Sequence, residues 1–152
     1  MFHRLTALVL AAGLALPHAA LADEAAEAAI GARKAQFQLF AFNLGVLGRM
    51  AQGRMPYDAE AAQTAADHLY HLTRQFNPAL WPEGSDNASM EDTDALPVIW
   101  DDLEEFAGRY EDLQAQAETM QEAAGTDLAA LQGAIGGLGG ACSACHDDFR
   151  AE

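Results

Sequence analysis

The sequence predicts an all-α fold, an antiparallel up-down-up-down four-helix bundle, and three observations support this prediction. Apolar residues recur at spacings of three and four along four separate segments, which is the pattern of a buried helix face. No segment shows the strict apolar–polar alternation that is typical of a strand. The joints between segments are short except over residues 77–96, whose Pro, Gly, Ser, Asp and Asn content predicts a longer crossover loop.

The first two helices are predicted from their apolar stripes. The first stripe consists of Ile30, Phe37, Phe40, Leu44 and Leu47. The second helix begins after Pro56 and Asp58, and its stripe consists of Ala62, Ala65, Leu69, Leu72 and Phe76. Each set shares one face because a residue advances by about 100° around a helix axis.

The third and fourth helices complete the predicted bundle. The third is entered at Pro97 and is predicted as one helix, with the stripe Ile99, Leu103, Phe106, Tyr110, Leu113, Ala117 and Met120. The fourth is predicted to begin at Thr126, an N-cap that follows Gly125. Its stripe consists of Leu128, Leu131, Ile135, Leu138, Cys142, Cys145 and Phe149.

Residues 1–22 have the pattern of a cleaved secretory signal peptide. They contain Arg4, an apolar run over residues 5–16, and small residues ahead of Asp23, where cleavage is expected. The apolar run is too short to anchor the chain in a bilayer. Residues 23–152 remain as one bundle domain, and the export signal predicts a soluble periplasmic protein.

The charge of the chain excludes two classes of partner. Loss of Arg4 with the signal leaves 7 Lys and Arg against 23 Asp and Glu, a formal charge of about −16. So negative a surface repels the phosphates of nucleic acid and of anionic lipid. We therefore expect no nucleic-acid partner and no membrane partner.

Both cysteines of the chain lie within five residues of its C-terminal segment, as Cys142-Ser143-Ala144-Cys145-His146. Offsets of three and four residues place the two thiols and the imidazole on the inner face of the fourth helix. A zinc site would need a further Cys or His pair, and a thioredoxin-type motif would need neighbouring strands. A disulfide between residues so close in sequence would add little stability.

C-x-x-C-H is the attachment motif for covalent haem c, in which two thiols form thioethers and the imidazole binds the iron. This interpretation agrees with the export signal and with the inward face of the motif. Haem c at Cys142 and Cys145, with iron on His146, is therefore the favoured prediction. A disulfide or a metal site remains the alternative.

A second axial ligand for the iron is hard to find in the sequence. Met50 lies 13 residues past Phe37, or about 20 Å along a helix axis, too far to reach the iron. His68 and His71 lie one position off their stripe, which is typical of boundary residues in contact with solvent. We predict five-coordinate iron with Phe37 over its open face, where the ring offers no hydrogen-bond donor.

Two arginines lie near this predicted site. Arg33 falls on the apolar stripe of the first helix, where a charge is costly unless an anion meets it, and a haem propionate is the predicted partner. The alternative is that Arg33 reaches solvent past the helix end. Arg150 lies four residues after His146, where it would tune the iron or complement the helix dipole.

The sequence resembles the cytochrome c′ family over nearly all of residues 23–152. The resemblance rests on four stretches of this chain, which are Arg33-x-x-x-Phe37, Pro56-Tyr57-Asp58-Ala59, Ile99-Trp100 and Cys142-Ser143-Ala144-Cys145-His146-Asp147-Asp148-Phe149-Arg150. It implies thioethers at Cys142 and Cys145, and His146 as the proximal ligand. It also implies a proximal-side arginine at Arg150, a distal blocking residue at Phe37 and a haem-edge arginine at Arg33.

Members of that family are high-spin periplasmic haem proteins that bind nitric oxide and often CO, so the resemblance implies a gas-binding protein, with possible electron transfer to an unknown redox partner. The alternative is a six-coordinate electron carrier that uses His68 or His71. A peroxidase-like enzyme would need an acid–base pair beside the iron, which Phe37 and Phe40 do not provide, and no catalytic residue is predicted.

A second apolar stripe on the first helix predicts a homodimer. It consists of Leu39, Phe42, Val46 and Met50, nearly opposite the Phe37 stripe. A bundle helix needs only one apolar face, and a two-fold interface would bury the other. The alternative is that the long loop covers these residues.

Overall fold

The structure is a computed structural model that describes residues 16–152, with side chains from residue 21 on. Its helices are α1 Leu16–Ala51, α2 Ala59–Thr73, α3 Val98–Asp101, α4 Leu103–Ala123 and α5 Leu128–Phe149. A short 3-10 turn, Pro78–Leu80, lies in the crossover loop of residues 74–97. The predicted signal peptide lies outside the described residues up to position 15, and its predicted cleavage point falls within α1.

The described helices pack as the predicted four-helix bundle. The contacting pairs are α1 with α2, α2 with α4, α4 with α5 and α5 with α1, which closes a ring of four long helices. No strand is formed by residues 16–152. The crossover loop is tied to the end of α5 by an isolated antiparallel bridge between Ala95 and Arg150, which brings the loop next to the cysteine motif.

Aspartate side chains start three of the four long helices. Asp58, Asp102 and Asp127 accept hydrogen bonds from the backbone N–H groups of Ala61, Glu105 and Ala130, respectively, each three residues further along the chain. A carboxylate there also meets the positive end of the helix dipole. The prediction of Thr126 as the N-cap of the last helix is therefore wrong by one residue, and Asp127 takes this position.

The third predicted helix is interrupted. Asp102 has φ −145° and ψ 79°, which ends α3 and lets its side chain cap α4. The prediction of one helix from Pro97 is corrected to a single-turn α3 followed by α4. Leu103, predicted on the buried stripe, is 52 % exposed after this break.

The core is built from the predicted inner stripes. Its fully buried members include Leu47, Ala62, Ala66, Ala117, Met120 and Leu131. Met50 is only 1 % exposed and belongs to this core. Its predicted place on the second, outward stripe of α1 is therefore wrong, because a step of three from Leu47 keeps it on the inner face.

Among the described helices, α5 is the one whose length and apolar composition would suffice to cross a membrane. In the structure it packs against α1 and α4 within the bundle. The half-buried side of α5 that carries Cys142, Cys145 and His146 lines a cavity. The apolar helix α5 therefore forms one wall of this cavity.

Candidate functional site

A cavity of about 430 Å³ lies between α1, α4, α5 and the crossover loop. Its volume falls within the range of about 300–1,000 Å³ that is usual for ligand sites. All six residues predicted from the sequence line it, namely Arg33, Phe37, Cys142, Cys145, His146 and Arg150. The fold thus brings together residues that are more than a hundred positions apart in the chain.

The wall formed by α5 carries the two thiols and the imidazole. Cys142 and Cys145 are free and half-buried, and burial raises the pKa of both thiols, that of Cys145 to about 11. Burial and the nearby Arg150 lower the pKa of His146. The thiols and the imidazole are therefore neutral near pH 7, and neutral imidazole is the form that binds a metal.

Phe37 forms part of the α1 wall and belongs to an aromatic cluster. Its ring centroid lies 5.6 Å from that of Phe40, 6.5 Å from that of Trp81 and 6.4 Å from that of Tyr110. The first two pairs are edge-to-face, a favourable arrangement for aromatic rings. These contacts hold the Phe37 ring at the cavity surface.

Arg33 is only 3 % exposed, and the crossover loop satisfies its hydrogen-bond donors. Its terminal nitrogens donate to the Ser85 hydroxyl (2.8 Å), the Thr93 hydroxyl (2.6 Å) and the Leu80 carbonyl (3.3 Å), and also to the Ser85 carbonyl. The guanidinium also lies 4.6 Å from the Trp81 ring centroid. The side chain therefore does not reach solvent, and neutral groups of the loop bind it in the structure.

Arg150 lies directly after α5, where its backbone N–H donates to the His146 carbonyl at 3.1 Å. On either side of it, Leu96 N–H donates to the Phe149 carbonyl (3.0 Å) and Ala151 N–H donates to the Asp94 carbonyl (2.8 Å). The crossover loop is thus paired with the segment that follows the predicted iron ligand. Arg150 itself is exposed but borders the cavity.

The histidines of α2 lie away from this site. His68 and His71 are both exposed, and no residue of α2 lines the cavity. Of the cavity-lining residues, His146 is the one histidine, and none is a methionine.

Two polar residues of α4 that line the cavity, Arg109 and Tyr110, are not among the site residues predicted from the sequence. Tyr110 lies on the predicted core stripe, whereas Arg109 lies beside it. Arg109 forms an ion pair with Asp148 at 2.6 Å, and its Nε is the one buried side-chain polar atom within residues 21–152 that lacks a hydrogen-bond partner. An arginine beside an apolar stripe, with acidic residues at i−4 and i+3, was the only sequence signal.

The residues present fit a covalently bound haem. Two free thiols and a neutral imidazole lie on one wall, an aromatic ring lies on another, and the unpaired Arg109 N–H calls for an acceptor from a bound group. Within residues 21–152, no three His, Cys, Asp or Glu side chains are placed to hold a metal ion by themselves. The zinc alternative therefore has no ligand set in that part of the chain.

Comparisons with known proteins agree with this site. A family model described as Cytochrome C′ matches residues 28–150. The chain is 45 % identical to Cytochrome c-554 of Cereibacter sphaeroides, covering 82 % of this chain and 93 % of the relative. It is 38 % identical to a Cytochrome c′ of the same species, over 91 % and 92 % of the two chains. The solved structure of Cytochrome c′ from Rhodobacter Spheriodes superposes with a TM-score of 0.81 and 37 % identity, covering 84 % of this chain and 98 % of the solved chain.

Proposed function

Because the chain belongs to the cytochrome c′ family, whose proteins are four-helix bundles with covalent haem c, we propose that it is a five-coordinate haem protein that binds NO and CO. One observation carries the proposal: the cavity wall offers a single histidine and no methionine, so neither of the usual second ligands of an electron-transfer haem would face the iron. The haem supplies an iron centre that binds diatomic gases and exchanges an electron.

The residues of this chain have distinct proposed roles. Cys142 and Cys145 hold the haem through thioethers, and His146 donates its neutral imidazole to the iron. Phe37 would cover the open side of the bound haem, and its packed ring would have to move to admit a gas. Arg150 adds a positive charge next to His146, whose pKa is lowered by burial and further by this arginine.

We further propose that the protein binds gases and is not an enzyme. The α1 side of the cavity offers Phe37, Phe40, Ala41 and Leu44 together with Arg33, Lys34 and Gln38, and none of these is a histidine or a carboxylic acid that could serve as an acid–base pair. Export to the periplasm, with residues 1–22 as the signal peptide, is proposed from the leader pattern. The strongly negative charge favours a soluble protein without nucleic-acid or membrane partners.

An optical spectrum of the reduced protein tests the coordination. We expect a broad high-spin band that changes on addition of CO and of NO. A sharp, split α band would show a sixth protein ligand and would favour the alternative, an electron carrier with His68 or His71 on the iron. The variants His68→Ala and His71→Ala provide the control, because neither should alter the spectrum if α2 stays away from the cavity.

Covalent attachment predicts a specific mass. Mass spectrometry of the exported protein should show one haem that stays with the chain after acid–acetone extraction. The double variant Cys142→Ala/Cys145→Ala should release its haem in the same treatment, since no thiol remains to bind it. Extractable haem in the wild type would contradict the thioether assignment.

We also propose a homodimer through α1. Leu39 and Phe42 are 51 % and 67 % exposed, and Leu39 borders an open groove of about 560 Å³ between α1 and α2 that Leu72 and Phe76 also line. A second copy related by a two-fold axis would cover this surface with its own α1. Val46 lies beside it and is half-buried, whereas Met50 takes no part.

Sedimentation tests the dimer. Phe42→Glu should convert a dimeric wild type to a monomer, because a charge cannot be buried in an apolar interface without a partner. Leu103→Glu is the matched control, since Leu103 is similarly exposed but lies on α4. A wild type that sediments as a monomer, or a dimeric Phe42→Glu, would contradict the proposal.

A further inference from the structure

The hydroxyl group of Tyr110 is a polar group that the proposed roles leave unused. Tyr110 is 4 % exposed and lines the haem cavity from α4. Its hydroxyl oxygen is not completely closed off, since Arg109 Nε is the one fully buried side-chain polar atom without a partner within residues 21–152, and the open space that Tyr110 borders is this cavity. Among the side-chain hydrogen bonds of residues 21–152, none involves the Tyr110 hydroxyl, whereas that of Tyr57 donates to the Ala124 carbonyl at 2.9 Å.

The ring of Tyr110 is held firmly in the aromatic cluster. Its centroid lies 4.7 Å from that of Phe76, 5.7 Å from that of Phe106 and 6.4 Å from that of Phe37. Contacts on several sides restrict the ring, so the position of the hydroxyl at the cavity is fixed by packing. Tyr110 thus lies directly against Phe37, the residue proposed to cover the open side of the iron.

The electrostatic surroundings keep this hydroxyl neutral. Burial raises the pKa of Tyr110, the neighbouring Cys145 adds to this effect, and Arg33 opposes it. The group therefore retains its proton throughout the physiological range and can only act as a neutral donor or acceptor. These two neighbours, Cys145 on α5 and Arg33 on α1, place the hydroxyl between the thiol wall and the Phe37 wall of the cavity.

We propose that Tyr110 donates a hydrogen bond to the outer atom of a diatomic ligand that enters beside Phe37. This inference rests on the proposed gas-binding function and adds to it the residue that stabilises the bound gas. Donors in a haem pocket are a main determinant of which small ligands stay bound. Phe37 supplies none. Tyr110, which packs against Phe37, is the one tyrosine that lines this cavity.

The isosteric variant Tyr110→Phe tests the inference in the haem-loaded protein. It removes one oxygen atom and keeps the ring contacts, so the fold should be retained. We expect the infrared C–O stretching frequency of the CO complex to rise, and the CO dissociation rate to increase about 3- to 10-fold, the loss expected for one neutral hydrogen bond. Tyr57→Phe is the control, because it deletes a hydrogen-bonded hydroxyl outside the cavity and should change neither quantity.

The outcomes separate this inference from the proposed function. If the wild type binds CO and Tyr110→Phe leaves both the stretching frequency and the dissociation rate unchanged, Tyr110 does not contact the ligand and the inference is overturned, while gas binding stands. If the wild type binds neither CO nor NO, the proposed function fails and the inference fails with it. The stretching frequency is decisive, because a purely structural role of the ring would not shift it.

Discussion

Replacing Phe37 with Ala should increase the rate and affinity of CO binding by about tenfold or more, because a ligand would no longer have to displace a packed ring at a cost of about 1–3 kcal/mol. The same change should lower the free energy of unfolding by about 3 kcal/mol, the lower end for loss of a phenylalanine, since Phe37 is only partly buried. Stopped-flow CO binding and denaturant unfolding of the haem-loaded protein measure the two effects. NO binding should change less, because NO binds ferrous haem more strongly.

Phe76→Ala is the matched control for this substitution. Phe76 belongs to the same aromatic cluster, with its ring centroid 4.7 Å from that of Tyr110, but it does not line the cavity. It should therefore destabilise the bundle to a similar degree without raising the rate at which CO binds. Unchanged CO binding in Phe37→Ala would mean that Phe37 does not cover the iron.

The parts of the fold that the sequence predicted correctly depend on local periodicity. The C-x-x-C-H motif lies within five residues of one helix, so the common direction of Cys142, Cys145 and His146 follows from helix geometry alone. Arg33 and Phe37 share a face for the same reason. The cavity then forms because the Arg33 and Phe37 face of α1 meets the cysteine face of α5 in the bundle, as expected for neighbouring helices.

The errors arise where local patterns are ambiguous. The apolar spacing from Ile99 to Leu103 and Phe106 continues through Asp102, so periodicity could not reveal the break that its cap creates. Met50 fits both stripes of α1, because it lies four residues from Val46 and three from Leu47. Only packing against the other helices decides between these alternatives.

The loop contacts could not be predicted, because they join residues 47 to 60 positions apart. Ser85 and Thr93 are common loop residues, and nothing in their sequence context indicates that they bind an arginine. The expected anionic partner of Arg33 followed from the cost of burying a charge. The structure shows that several neutral acceptors and a Trp ring meet the same need.

Replacing Arg33 with Met should lower the free energy of unfolding by about 3–5 kcal/mol, among the largest effects expected for a single residue of this chain. Met keeps much of the apolar stem but none of the donors. The Ser85 side chain, which is fully buried, would lose the guanidinium, and the carbonyl groups of Leu80 and Ser85 would lose donors. Denaturant unfolding measures the loss, and amide hydrogen exchange should show faster exchange over residues 80–95.

Lys34→Met is the control, because Lys34 is the next residue of α1 and contacts the same loop through an exposed ion pair with Asp92 at 2.7 Å. That ion pair should contribute less than about 1 kcal/mol to the free energy of unfolding. Arg33→Lys should recover little of the stability, since an ammonium group cannot present the planar fork that reaches several acceptors. If Arg33→Met instead shifts the haem reduction potential while the loop amides stay protected, the main partner of Arg33 is a haem propionate and not the crossover loop.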